Sequence, residues 1–442
     1  MIEEDIKSIY KILEKYNLST KTFCLAPYLH YDFDQSGEMH SCFEGKKSMG
    51  NWMEQSASDQ YNNKDYQNLR QWHRTGNKEM STPNCENCYM HESHQVQSHR
   101  LRNLVDKFIK LGPLKFEALI KQISNTAIDQ VNLPEIDFVE MRLSNFCNLR
   151  CLHCDHISST QWLNFYTNQD NINDAREAGM PIHPDVDAKN IMKFFADHQT
   201  SNTSYLDDAI KVMSKGKILT WSGGEPLLDP NYKKIIKTLA NSDFADKQEI
   251  DIHSNLNIKN IESYFEDWEK FQKVQLYISI DCPPSTYNYF RRNGDWNTVL
   301  SNIKKIQNHF PVSKVPVIGH ITFSMFGALR FKEIANTWTE HNLIANSNLV
   351  IMGPTSVRYL PNDLKNNAIE QMEYVLANNN KKYSERMLED TWKCLTYTKN
   401  TEKYTDLHHE VIKWFTLMDK TSHLKTLDFY PEFEMYYNNN NG

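Results

Sequence analysis

The sequence predicts an α/β protein: a partial (β/α)6 barrel of the TIM type, preceded by a cysteine-rich N-terminal domain and followed by a helical C-terminal extension. Three observations predict it. Six short β-rich runs, at 136–143, 217–221, 249–253, 274–280, 315–323 and 348–352, are separated by helix-like segments near 205–214, 231–241, 259–270, 296–309 and 331–341. Strands alternating with helices imply βαβ units and a parallel sheet. Four of the nine cysteines precede residue 100, and residues 362–428 return to helical periodicity.

The elements follow in chain order. Ile2, Ile6, Ile9, Tyr10 and Leu13 recur at helical spacing, so 2–16 is an amphipathic helix. Residues 23–100 hold few apolar runs and carry turn signals at Ser36-Gly37 and Pro83-Asn84, so this segment needs a staple such as a metal to fold compactly. With the first helix it forms a domain over 1–100. Leu101, Leu104, Val105 and Phe108 open a helical run over 101–124, inside a linker that ends at 135. The barrel occupies 136–361, and its active site is expected at the C-terminal ends of the strands. Residues 161–204 are Asn/Asp-rich and hold Pro181 and Pro184, so they read as an insertion or lid after the first strand. The extension spans 362–442, and 438–442 reads as a disordered tail.

Charge and hydropathy exclude several classes. Lys plus Arg is 49 and Asp plus Glu is 56, a net charge of −7, which is no footprint for nucleic acid or an anionic membrane. The longest charge-free apolar stretch, 315–329, is broken by Pro316, Gly319, His320, Thr322 and Ser324, too short and too polar for a membrane span. The opening Met-Ile-Glu-Glu-Asp lacks the basic-then-apolar pattern of a secretory signal. A soluble, cytoplasmic protein is expected. Nine cysteines there read as metal ligands or catalytic groups rather than disulfides.

Cys147, Cys151 and Cys154 form a Cys-x3-Cys-x2-Cys run directly after the first barrel strand. Three thiolates within eight residues can wrap one polynuclear centre. Four-iron clusters are normally capped by four cysteines, so three leave one iron open to a ligand. A zinc site completed by His153 or His156 is the alternative on spacing alone. The second barrel strand ends in Trp221-Ser222-Gly223-Gly224-Glu225-Pro226. Paired glycines let backbone groups approach a ligand closely, although such a turn also serves as an ordinary strand exit.

The two motifs together, in this order, resemble the radical S-adenosylmethionine (SAM) superfamily. The resemblance implies that Cys147, Cys151 and Cys154 hold a 4Fe–4S cluster and that Gly223, Gly224, Glu225 and Pro226 contact the methionine amino group of SAM. It further implies a polar turn near SAM at Asn255, ribose contacts from Ser279 and Asp281, and carboxylate pairing by Arg291, chosen over Arg292 on its spacing to Trp296. Each of these is otherwise a cap or loop residue. His153 stands where relatives carry an aromatic residue that packs on the adenine. Cys24 and Cys42, with Gly37 five before Cys42, then Cys85-x2-Cys88, read alone as a zinc site. Beside the core they resemble the auxiliary-cluster half of SPASM and twitch domains, here placed before the barrel, and imply a second 4Fe–4S cluster. His91, His94 and His99 follow closely and could tune or replace a ligand, but a polar surface helix is the favoured reading. Cys282, at a strand exit, is either a small buried hydrophobe or a thiol that donates a hydrogen atom to a substrate radical. Cys394 reads as buried.

The function implied is a radical SAM oxidoreductase. Reductive cleavage of SAM yields a 5′-deoxyadenosyl radical that takes hydrogen from a small-molecule or peptide substrate, with oxidation assisted by the auxiliary cluster. The electron donor implied is of the flavodoxin or ferredoxin kind. A peptide-modifying or epimerising radical SAM enzyme is the nearest alternative. A zinc-stabilised, non-catalytic binding protein is the rival of another class, and an iron–sulfur redox sensor without SAM chemistry is a third.

Overall fold

A computed structural model describes residues 2–42, 44–45, 47–51, 54–77, 85–93, 97–131, 136–155, 158–179, 182, 187–190, 206–350, 353–378, 382–401 and 408–438. Among these residues, ten strands follow one another: β1 (His30–Phe33), β2 (Met39–His40), β3 (Ile136–Arg142), β4 (Arg150–Cys151), β5 (Gly216–Ser222), β6 (Glu249–Ser254), β7 (Lys273–Ser279), β8 (Arg291–Arg292), β9 (Val317–Phe323) and β10 (Ile344–Leu349). The chain is mixed α/β, and its parallel strands alternate with helices. No described helix is long and apolar enough to cross a membrane.

The chain divides into two compact units. The first comprises 1–142, 201–221 and 241–249, and the second 143–200, 222–240 and 250–442. In the first, the strand order is β5-β3-β1-β2, with β1 parallel to β3 and β2 antiparallel to β1. The N-terminal segment therefore supplies two strands where only turns were expected. The reason is a local apolar patch: Phe33 and Met39 are fully buried, and the rings of Tyr31 and Tyr61 stack at 4.3 Å. The expected 101–124 helix is two helices, His99–Leu111 and Pro113–Asn125. Pro113 breaks the ladder because it has no N–H to donate, and it starts the second helix where that loss is harmless.

In the second unit the order is β10-β9-β7-β6, and the pairs β7–β9 and β9–β10 are parallel. Ile250, Ile252, Val274, Leu276, Ile278, Ile321 and Phe323 are buried on one face of these strands, as expected for a sheet covered by helices. The opposite face is polar. His253 and Tyr277 stack at 4.7 Å and 10°, His320 meets both edge-on, and Asp251 accepts a hydrogen bond from Gln275 at 2.7 Å. β10 starts at Ile344 rather than 348, because Asn346 and Asn348 reach the two ring nitrogens of His320 across the pair. Short helices Leu163–Tyr166 and Gln169–Glu177 occupy the start of the predicted insertion. Five described helices, Asn362–Ala377, Glu385–Asn400, His408–Lys420, Thr426–Phe429 and Glu434–Asn438, run through the extension, so residue 438, expected in the tail, ends a helix; Cys394 is buried within the second of them. His94, His156, the Pro83-Asn84 turn, residues 191–205 and residues 439–442 lie outside the described residues.

Candidate functional site

The central cysteines lie on one loop of the second unit. β4 pairs antiparallel with β8, which sets Cys151 opposite Arg291 and Arg150 opposite Arg292. The rest of the loop is tied down locally: Ser159 Oγ donates to the Leu149 carbonyl at 2.6 Å, and Gln161 Nε2 donates to the Cys147 carbonyl at 3.3 Å. Cys147 and Cys151 are buried and Cys154 is half-buried. Burial pushes the Cys147 thiol up to about 12, and the neighbouring Cys151 adds to it. Donors nevertheless surround the sulfurs. Leu149 N and Asn255 Nδ2 point at Cys147 Sγ at 3.4 and 3.8 Å, and Arg291 Nη1 lies 3.6 Å from Cys151 Sγ. Donors placed this way stabilise thiolates, the form that binds metal.

The spacing of the thiols discriminates between metals. A tetrahedral zinc with Zn–S of about 2.3 Å brings its sulfurs to roughly 3.8 Å of one another. Among the described residues, the set of three donors within 4.8 Å is Asp34, Glu38 and His40, and no three cysteine sulfurs come that close in either group. A four-iron cluster interposes its own irons and sulfides, so its cysteines stand further apart. The sulfurs of neither group are drawn in to zinc distance, and the cysteine donors of both suit a cluster.

The Gly-Gly-Glu-Pro turn is fastened to this loop. Gly224 N donates to the Ser144 carbonyl at 3.0 Å, and Glu225 N to the Phe146 carbonyl at 2.8 Å. Gly223 has φ +115°, and a Cβ on Gly224 would overlap the Phe146 carbonyl oxygen and lie 2.7 Å from the Asn145 carbonyl carbon. Only glycine fits there without moving backbone. Gly224→Ala is therefore expected to displace the cysteine loop, lower the melting temperature by several degrees and leave iron below stoichiometry, both read on anaerobically purified protein. A variant with full iron and unchanged melting would show the turn to be pliable. Glu225 is wholly buried and spends its carboxylate inward, accepting from Leu227 N (3.1 Å), Ser254 Oγ (2.8 Å) and Asn255 N (2.7 Å). Asn255 in turn donates to Asn148 at 3.0 Å. Pro226 opens the following helical turn. Beside these residues, the Asn145 side-chain amide is fully buried with neither of its polar atoms partnered among the described residues. Such an orphan is costly unless a ligand meets it.

Asp281 and Arg291 meet each other. Asp281 is fully buried; its Oδ1 accepts from Thr322 N at 2.7 Å, and its Oδ2 pairs with Arg291 Nη2 and faces His153 Nε2 at 3.6 Å. Burial raises this carboxyl, but Arg291 and His153 outweigh it and hold the group below its usual range. His153 stacks on Phe290 at 5.0 Å and 24°, burial draws it down to about 4, and its Nδ1 is buried without a partner among the described residues. It is a neutral aromatic plate with one free polar atom. Ser279 ends β7 half-buried, level in register with His320. Cys282 is fully buried, and burial pushes its thiol up. Arg292 takes another direction, toward the Thr421 hydroxyl.

Cys24, Cys42, Cys85 and Cys88 converge within the first unit: negative charge on Cys24, Cys85 and Cys88 is felt at Cys42 after the larger effect of burial. Ala26 N donates to Cys24 Sγ at 3.4 Å, and Arg100, paired with Glu92 at 2.7 Å, braces the segment by donating to the Phe23 carbonyl. Sequence spacing drew attention to the histidines after Cys88, of which His91 and His99 are half-buried. The histidine that reaches the group is His73, whose Nε2 lies 3.7 Å from Cys85 Sγ. Nothing in the spacing marks it.

A family model of the radical SAM superfamily matches residues 141–330, which contain the cysteine triplet, the Gly-Gly-Glu-Pro turn and the Asp281–Arg291 pair. The chain carries a radical SAM domain. A second model, an iron–sulfur cluster-binding (SPASM) domain, matches residues 24–89, from Cys24 to just past Cys88. The two matches support iron–sulfur clusters and SAM as cofactors, and each range contains one of the two groups of thiols. No curated protein matches the chain in sequence. Among solved structures, native anSMEcpe with bound AdoMet and Cp18Cys peptide is similar at 13% identity over 57% of this chain and 63% of that one, TM-score 0.34. SuiB of Streptococcus suis bound to S-adenosylmethionine is similar at 11% identity over 65% and 61%, TM-score 0.35. The chain thus spans less than two thirds of the length of either.

Proposed function

We propose that this chain is a radical SAM oxidoreductase that removes hydrogen from a small-molecule or peptide substrate. The observation that supports this best is the set of donors around the triplet: three thiols, one short of a four-iron cluster's needs, beside a glycine turn and a buried amide at Asn145 that has no partner among the described residues. When bound, the core cluster and SAM supply a hydrogen-abstracting adenosyl fragment, and the auxiliary cluster supplies an acceptor for the electron that the oxidised substrate gives up.

The chain's own residues do the rest. Cys147, Cys151 and Cys154 hold the core cluster, and Cys24, Cys42, Cys85 and Cys88 the auxiliary one. Gly223 and Gly224 bring backbone close to the methionine end of SAM, while Glu225 positions that turn through Ser254 and Asn255. Asp281 and Arg291 act as a neutralised pair beside the Cys151 thiolate. His153 offers its ring face to the adenine and its free Nδ1 to a polar atom. The imidazole and phenol wall of His253, Tyr277 and His320, with Asn346 and Asn348 behind it, suits a substrate rich in hydroxyl or amide groups. Electrons would come from a flavodoxin- or ferredoxin-like donor.

Anaerobic protein, reconstituted and assayed for iron and sulfide, is expected to hold about eight irons per chain. With dithionite and SAM it is expected to release 5′-deoxyadenosine. About four irons with release would keep the radical SAM reading and remove the auxiliary cluster. Zinc in place of iron, with no release, would overturn both.

A further inference from the structure

His73 is buried at the last turn of the helix Lys64–Thr75, which Asn63 caps at one end and Gly76 at the other. Its Nδ1 lies against the Thr22 backbone carbonyl. A carbonyl can only accept, so Nδ1 carries the hydrogen. Nε2 then turns a lone pair toward Cys85 Sγ, 3.7 Å away. This is the disposition of a metal-binding histidine: one nitrogen donates to a backbone carbonyl, which fixes the ring and its tautomer, and the other faces the metal position. The ring cannot swing away, because helix and carbonyl hold it from two sides.

We propose that His73 is a reserve ligand of the auxiliary cluster, able to bind through Nε2 the iron that Cys85 serves. The SPASM domain would then hold five protein donors for four irons, with Cys85 and His73 sharing one corner. The exchange is a ligand substitution without redox change: the iron–sulfur bond to Cys85 would break and its thiolate take a proton from water, an iron–nitrogen bond would form from the Nε2 lone pair, and the proton would stay on Nδ1, hydrogen-bonded to the Thr22 carbonyl. The inference rests on assigning Cys24, Cys42, Cys85 and Cys88 to a cluster.

The test uses full-length chain in which Cys147, Cys151 and Cys154 are alanine, so that all remaining iron is auxiliary. The parent is expected to hold about four irons; no iron there overturns the cluster assignment and this proposal with it. In that parent, Cys85→Ala is expected to keep most of the iron, whereas Cys24→Ala, Cys42→Ala and Cys88→Ala each lose it. Pulsed electron paramagnetic resonance of the reduced Cys85→Ala protein should show a directly coordinated imidazole nitrogen, shifted by 15N-histidine. Cys85→Ala/His73→Ala should then lose both iron and signal. Iron loss in Cys85→Ala equal to that in Cys24→Ala overturns the proposal, and so does retained iron without nitrogen coupling. Failure of Cys85→Ala to fold while its three counterparts fold overturns it as well.

Discussion

Cys151→Ala is expected to abolish 5′-deoxyadenosine formation, by about a thousand-fold or more, and to remove about four of eight irons. Of the three thiols, Cys151 is the one held in a strand: β4 pairs it with Arg291 in β8, and Arg291 Nη1 reaches its sulfur at 3.6 Å. No other described cysteine outside the triplet shares this loop, and Cys282, the nearest in function, is fully buried on a different strand exit. Cys24→Ala is the matched control. It should lose only auxiliary iron and keep reductive SAM cleavage, since its ligand group belongs to the other unit. Anaerobic iron analysis with product chromatography checks both. A Cys151→Ala protein that retains eight irons and full cleavage would refute the core assignment.

Arg291→Met is expected to be the most damaging single change outside the cysteines, costing about 3–5 kcal/mol, because it leaves the Asp281 carboxylate buried with no cation, only the neutral His153 and Thr322 N beside it. The sign of its pH dependence follows from the causes. At present Asp281 sits below its ordinary range, so the pair stabilises above that range and is lost only as pH falls through the lowered value. Without Arg291, burial dominates and the carboxyl rises above its unfolded value. Its contribution is then present at low pH and lost as pH climbs, so Arg291→Met should melt higher, relative to wild type, at pH 5 than at pH 8. Asp281→Asn/Arg291→Met keeps an acceptor for Thr322 N and removes the buried charge, and should recover much of the loss. Thermal melts of the two variants at both pH values measure this. Equal melting of Arg291→Met and wild type at pH 8 would mean that the pair is not closed.

What could be read from the residues alone was whatever depends on near neighbours in the chain. The cysteine triplet spans eight positions, so its spacing announces itself, and the apolar runs of β3, β5, β6, β7 and β9 are dense enough to mark strands. β10 was displaced in the reading because its register partners are polar: Asn346 and Asn348 are there for His320, twenty-six and twenty-eight residues earlier. β1 is four residues long and holds a histidine and an aspartate, so no periodicity could develop. Long-range pairing was illegible for the same reason. Glu225 meets Ser254 and Asn255, Asp281 meets Arg291 across a helical turn and a short helix, and His73 meets Cys85 from a helix that ends ten residues before it. Such contacts are set by packing, which composition and spacing do not encode.

The division of the chain also governs when its metal can be installed. All four auxiliary cysteines have left the ribosome before the first core cysteine is made, yet the unit that holds them is completed only by 201–221 and 241–249. At about 5–20 residues per second, the 161 residues from Cys88 to Glu249 take roughly ten to thirty seconds to synthesise. During that interval all seven thiols are on one unfinished chain, and the core triplet joins them before the earlier group is enclosed. The two groups of thiols are therefore on the chain together before the first unit is complete, so iron and sulfide supplied during synthesis meet all seven at once.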